Sequence, residues 1–487
     1  MTTRTRVGDY DVATGHFINN QRVDSASTFE DRSPLDWNLK LADIARGGAT
    51  EANLAISAAV DAFGLWSSLS ALERQAYLHR LADLIDANVE AIAKVECLDM
   101  AMLEESLRLR VIARGARNFR AYADLAVAYE ARDWESNGTH NRVLRMPAGP
   151  TVVITPWNAP FMLSTWKCAP ALAAGNTVVL KPAEWSPLSC SILMDLVVEA
   201  GIPAGVFNLV QGYGEEVGAA LVSDPRVRRI SFTGSPETGR IIGVEAAKNL
   251  VPFTAELGGK GPFVVFDDAD VDLAAQKAAV MFDDAGQVCL AGTRLLVDAK
   301  IYDQFLEKFE AETAKHVLGD SRVETTTISP MIHPEHISRV EGFVERARSS
   351  GDTILFGGKK HTSDGLWFEP TVIVPKSNDS EVVQNEIFGP VLTLQTFSSD
   401  DEAIALANST RYGLSAMAFT QSQERADRFG EKVRAGTIWI NCFLVRDLTA
   451  PFGGAGISGI GREGGDHALD FYSDVKTYQV KDGTTHG

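Results

Sequence analysis

The chain has 487 residues, 45% hydrophobic and 23% charged, with a formal net charge of -18 and a pI near 5.0. That length exceeds one ordinary core and implies two or three domains. The acidic balance, with no cluster of Lys and Arg, argues against nucleic acid as a partner, and no apolar run is long enough to span a bilayer, so a cytoplasmic protein with no membrane partner is expected.

Five cysteines, Cys97, Cys168, Cys190, Cys289 and Cys442, are scattered and odd in number, with no CxxC and no Cys/His ligand spacing. Neither a disulfide framework nor a metal site is predicted. His333 and His336 stand at a helix-compatible interval and read as a solvated surface pair.

In chain order, residues 50–97 carry two helical patterns, the first around Ile56, Ala59 and Phe63, the second with Leu78, Leu81, Leu84 and Ile85. Segment 128–148 is polar and breaks the pattern. From 150 onward short apolar runs alternate with helix-length pieces: 151–154, 177–180, 206–210, 229–232 and 263–266. This alternation predicts βαβ units around a parallel sheet. A second series of strands, at 294–297, 391–396, 417–420 and 437–440, reads as another α/β domain. The end, 472–480, is strand-like with no evident partner, so both it and segment 128–148 are open to pairing with another subunit.

Several motifs carry chemistry. Cys289 stands among small residues in Gly286-Gln287-Val288-Cys289-Leu290-Ala291-Gly292, downstream of Glu256 in Glu256-Leu257-Gly258-Gly259-Lys260. A thiolate attacks carbonyls well, and the resulting thioester needs a base to direct water at it, which a carboxylate supplies. Phe232-Thr233-Gly234-Ser235-Pro236-Glu237-Thr238-Gly239 is a glycine turn of the kind that binds phosphate at a helix N-terminus, although it lacks the GxGxxG fingerprint and reads equally as a tight connection. Lys181 and Glu184 follow a strand, where they would grip a ribose or form a surface ion pair. Asn158, bracketed by Pro156 and Pro160, is either a turn residue or an amide donor for an oxyanion.

Taken together, these motifs, with Glu386-Ile387-Phe388-Gly389-Pro390 and Pro451-Phe452-Gly453-Gly454, resemble the non-CoA-acylating NAD(P)-dependent aldehyde dehydrogenase superfamily over nearly the full length. The resemblance implies an α/β aldehyde dehydrogenase fold: a Rossmann-like, doubly wound NAD-binding domain (1–127 and 147–256), a second α/β catalytic domain (257–467) and a small β oligomerisation element (128–146 and 468–487). It implies a homodimer or homotetramer, an aldehyde as substrate and NAD as cofactor, with the acidic Glu184 disfavouring a 2'-phosphate. Cys289 is then the nucleophile, Glu256 the base for thioester hydrolysis and Asn158 the oxyanion donor with the backbone N–H of Cys289. The cofactor would lie on Thr155, Pro156, Trp157, Lys181, Glu184, Gly214, Phe232, Thr233, Gly234, Ser235 and Leu257, with Glu386 and Phe388 at the nicotinamide ribose and ring.

Two departures stand out: Asp283-Asp284 replaces the common Phe-Asn, placing acid near the thiol, and Ala455-Gly456 removes a frequent lysine. The stretch 441–448 and the segment from Arg114 to Arg120 are similar to the hydroxymuconic and aminomuconic semialdehyde dehydrogenases. That likeness implies Arg114 and Arg446 as ligands of a substrate carboxylate, a planar group suited to guanidinium. Ion pairs with neighbours are the other reading of these arginines. A neutral aliphatic, terpenoid or aromatic aldehyde in a tunnel lined by Phe161, Trp166, Phe282 and Phe443 is the alternative substrate. A cofactor-free cysteine esterase and a non-catalytic structural relative are the rival classes.

Overall fold

The computed structural model describes residues 3–129, 132–362 and 365–481. Strands Thr151–Ile154, Val178–Lys181, Phe207–Leu209, Arg229–Thr233 and Phe253–Glu256 form the parallel centre of an eight-stranded sheet. Their residues are almost all buried, as continuous Val/Ile/Leu runs require when helices cover both faces. Numbered in chain order, these five lie as 5-4-1-2-3, so the order reverses at Thr151–Ile154. A doubly wound sheet opens its ligand crevice at that reversal, beyond the carboxyl ends of the strands. Antiparallel strands complete the edges: Gly459–Ile460 on one side, His16–Ile18 and Gln21–Val23 on the other.

A second sheet of seven strands runs Thr353–Phe356, Thr371–Val374, Val391–Phe397, Arg294–Asp298, Pro262–Val265, Ser415–Phe419 and Thr437–Ile440, parallel except for the first. The run at 263–266 therefore belongs to this sheet and not to the first series, with which its spacing groups it. Each sheet carries its own large core, one including Trp66, Phe119, Phe161 and Phe207, the other Phe263, Phe282, Phe305 and Phe309.

A third, three-stranded sheet joins the hairpin Asp133–Ser136 and Thr139–Pro147 to the C-terminal strand Ser473–Lys481. The C-terminal strand thus finds its partner within its own chain, where the sequence offers none. Residues 130–131 and 482–487 of the expected oligomerisation element lie outside the described residues. Among the described residues, no single helix is long and apolar enough to cross a membrane.

Candidate active site

Glu256 ends the last parallel strand of the first sheet, and Pro262 opens the second, so residues 257–261 carry the chain across between them. Two glycines make that crossing possible. A Cβ on Gly258 would collide with the Glu386 carboxylate, and one on Gly259 with the carbonyl oxygen of Cys289. The Gly259 N–H donates to Glu386 Oε1 at 2.8 Å. Gly286 plays the same part in the cysteine loop: it has φ +66, and a Cβ there would collide with the Gly389 carbonyl. Small residues around Glu256, Cys289 and Glu386 thus let three separate loops converge.

Cys289 is half-buried, and its thiol is pushed up to about 12, first by burial and then by the charges of Glu386 and Glu256, while Arg446 opposes them. Both carboxylate oxygens of Glu256 are buried without a hydrogen-bond partner among the described residues, and burial followed by the charge of Glu463 holds its carboxyl well above the ordinary range. Asn158 lies beside the cysteine loop, donating Nδ2 to Gln287 O at 2.9 Å. The charges that chiefly act on the thiol are those of Glu386, Glu256 and Arg446, not those of Asp283 and Asp284. Burial and Asp284 push Asp283 up to about 7, and the cation opposing this for both residues is Arg110.

At the strand reversal, Thr155 is buried, its N–H donating to Lys181 O, and Pro156 and Trp157 are half-buried beside it. Lys181 Nζ donates to Glu184 Oε2 at 2.9 Å at the end of the neighbouring strand. Thr233 Oγ1 is buried without a partner among the described residues at the end of Arg229–Thr233, where Gly234 turns against the Phe232 ring. Ser235 Oγ then caps helix Pro236–Lys248 by accepting from Thr238 N. Leu257 packs under Gly239 of that helix, and Gly214 opens a short helix with free space around it. Glu386 is half-buried, and its carboxyl is pushed up to about 7, chiefly by removal from water. Phe388, at φ +59, meets Trp157 edge to face at 5.3 Å between ring centroids. The orphaned Thr233 hydroxyl, the capped helix N-terminus and the Glu184 carboxylate fit the phosphate and ribose portions of a dinucleotide.

The far side is cationic. The guanidinium carbons of Arg114 and Arg446 lie 5.5 and 5.8 Å from the Trp166 ring centroid, and that of Arg446 also lies 3.8 Å from the ring of Phe452. Arg114 donates Nε to Asn118 Oδ1 at 3.0 Å, and Arg446 has no hydrogen-bond or ion-pair partner among the described residues. Burial and then the charge of Arg446 bring Arg114 down to about 10. Phe161 and Phe282 are wholly buried, and Phe443 is half-buried beside Trp439.

Two features escape the sequence. Lys167, fully buried in helix Pro160–Ala173, pairs with Glu463, which also accepts from Trp166 Nε1 at 2.6 Å and Ser231 Oγ at 3.2 Å. A single lysine in an otherwise uncharged helix is the signal for it. The other is His336, which is 7% exposed and packs against Trp157 at 5.1 Å, while His333 stacks on Trp185 at 4.4 Å. The two histidines are therefore an aromatic seam across the crevice and not a solvated surface pair.

A thiol, the two carboxyls of Glu256 and Glu386 drawn out of water, and a dinucleotide-type crevice between parallel sheets define an enzyme site. The aldehyde dehydrogenase family model matches residues 22–478. The 2-hydroxymuconic semialdehyde dehydrogenase of Pseudomonas sp. (strain CF600) is 39% identical over 481 residues, covering 96% of this chain and 99% of that protein. Betaine aldehyde dehydrogenase of Bacillus subtilis (strain 168) is 42% identical over 452 residues, covering 90% and 91%. A solved point variant of betaine aldehyde dehydrogenase from Staphylococcus aureus, in complex with NAD+, superposes with a TM-score of 0.94 at 36% identity, covering 98% of this chain and 99% of that one. The chain belongs to the aldehyde dehydrogenase family and has its fold.

Proposed function

We propose that this enzyme oxidises an aldehyde bearing a distal carboxylate to the corresponding acid, with Cys289 as nucleophile, Glu256 as base and Asn158 as oxyanion donor. NAD, when bound, supplies the hydride acceptor. Cys289 Sγ attacks the aldehyde carbon once its proton has left, and the oxygen takes the Asn158 amide and the Cys289 N–H. After oxidation to the thioester, Glu256 removes a proton from water as that water attacks, and the acid departs with the thiol restored. Both the thiol and the Glu256 carboxyl are held high and must lose a proton to act, so the rate rises with pH.

For the cofactor, the proposed contacts are Thr155, Pro156 and Trp157, with Lys181 and Glu184 on the adenosine ribose. Thr233, Gly234 and Ser235 lie near the pyrophosphate, Gly214, Phe232 and Leu257 are further cofactor contacts, and Glu386 and Phe388 meet the nicotinamide ribose and ring. The proposed domain division is 1–127 and 147–256 for NAD, 257–467 for catalysis, and 128–146 with 468–487 for assembly; strand Gly459–Ile460 of the catalytic segment crosses back to edge the first sheet.

The observation that carries the substrate class is the pair Arg114 and Arg446 on one tryptophan, with neither forming an ion pair among the described residues. Two half-buried guanidiniums with no anion between them favour a ligand that brings one. The 2-hydroxymuconic relative is in keeping with an acidic aldehyde, and Phe161 joins this reading only as packing behind Arg114, through Gly115. The test is NADH formation across acidic and neutral aldehydes of equal length. A clear preference for the acidic series is expected, and equal turnover of both would reject the carboxylate reading. A cytoplasmic location is in keeping with the five unpaired cysteines. Assembly into a homodimer or homotetramer is favoured by apolar side chains left exposed at Ile241, Val244 and Leu250 and at Val475 and Tyr478.

A further inference from the structure

Helix Pro334–Ser350 lies against the backbone of Glu386-Ile387-Phe388 and takes up three successive carbonyls. Arg339 donates Nη2 to Glu386 O at 2.8 Å and Nη1 to Ile387 O, and His336 Nε2 donates to Phe388 O at 2.7 Å. Phe388 needs such a restraint, because at φ +59 a bulky residue sits in the left-handed region, which L side chains disfavour. Its ring is aimed at Trp157, and the His336 ring packs against both, 5.1 Å from Trp157 and 6.1 Å from Phe388. Burial brings His336 down to about 4, so the imidazole is neutral at working pH and its one N–H is committed to Phe388.

We propose that His336 is a positioning residue for cofactor binding: it holds Phe388 in its left-handed conformation, while Arg339 fixes the two carbonyls before it. The nicotinamide end of the crevice is then shaped from a helix behind it. This rests on the reading of Phe388 and Glu386 as nicotinamide contacts. Without the donor, Phe388 relaxes away from Trp157 and carries Glu386 off the Gly259 N–H.

The test compares His336→Leu, which keeps bulk without a donor, His336→Gln, which keeps an N–H, and Phe388→Ala. The readouts are NAD affinity by calorimetry on the full-length enzyme without substrate, KM for NAD against kcat, and Tm without NAD. Losing one hydrogen bond to a strained carbonyl should weaken NAD binding by about fivefold to tenfold in His336→Leu, with KM for NAD rising in step and kcat within about twofold. His336→Gln should recover most of it. Should His336→Leu not fold, His336→Asn, whose amide is too short to reach, is read the same way. Parental NAD affinity in His336→Leu beside weakened affinity in Phe388→Ala overturns the inference and leaves the cofactor reading standing. Parental affinity in Phe388→Ala overturns both. A fall in Tm and kcat without a change in NAD affinity reduces His336 to a packing residue and overturns the inference.

Discussion

The two sides of Trp166 differ in how their charges are answered. Its indole N–H faces Glu463, a carboxylate already met by Lys167 and Ser231. Its ring face carries Arg114 and Arg446, neither of which forms an ion pair among the described residues. A buried charge without a partner is costly, so proteins complete such sites internally unless function forbids it. The Glu463 side is complete and acts as scaffold beside Glu256. The arginine side is open, and under the proposed function its countercharge comes with the substrate.

The largest effects should come from the chemistry that both sides serve. Cys289→Ala should lower kcat by more than about 1,000-fold with either an acidic or a neutral aldehyde. Glu256→Gln should allow one NADH per site in a rapid phase and then slow turnover by about 100-fold or more, because hydrolysis has lost its base. Stopped-flow absorbance at the NADH band separates the two. A Glu256→Gln enzyme that loses the rapid phase as well would make this residue the activator of the thiol.

Next in size is the completed side. Lys167→Met leaves Glu463 buried with its strongest partner gone and should cost about 3–5 kcal/mol of stability, measured by denaturant unfolding. Lys167→Met with Glu463→Gln should recover part of that loss. The open side should behave in the opposite way. Arg446→Ala should leave stability nearly unchanged yet lower kcat/KM for a carboxylate-bearing aldehyde by about 10-fold to 100-fold, the worth of a charge-assisted hydrogen bond. For a neutral aldehyde of equal length the change should stay within about threefold. Equal losses on both substrates would make Arg446 a charge acting on Cys289 and Glu256 alone.

The contrast also explains what was legible in the sequence. Strands Thr151–Ile154 and Thr437–Ile440 match the expected runs to the residue, the first because burial inside a parallel sheet writes an uninterrupted apolar signal, the second because the β-branched and aromatic run Thr-Ile-Trp-Ile suits an edge strand. Phe253–Glu256 escapes because Phe-Thr-Ala-Glu is short and ends in a charge, although that charge is Glu256 itself. The C-terminal strand shows its own pattern and not its partner, since the strand it pairs with, Thr139–Pro147, is far away in the chain. His336 reads as surface because Glu335 and Arg339 flank it, and the Trp157 that packs on it comes from the first sheet. The unpaired state of Arg446 has no sequence signature at all, as Asp447 beside it offers a partner that the fold turns instead to Thr449.

The smallest expected effect is on pH stability, and it lies away from the crevice. Glu96 is buried beside helix Pro160–Ala173, accepts from Phe161 N at 3.2 Å, and is pushed up to about 8, first by burial. In the unfolded chain the same carboxyl titrates near about 4.3. The folded state therefore keeps a proton that the unfolded state releases, so the contribution to stability is full below that lower value and is lost as pH rises through about 8. Asp31, also pushed up to about 8 by burial, adds a slope of the same sign. Glu96→Gln retains an acceptor for Phe161 N and needs no proton. Its Tm should match the parent or lie slightly below it at about pH 5 and exceed it by about 1–3 °C at about pH 9. Parallel Tm curves for the two proteins would show that Glu96 is already ionised in the folded state at about pH 5, with its charge answered by a partner other than the Phe161 N–H.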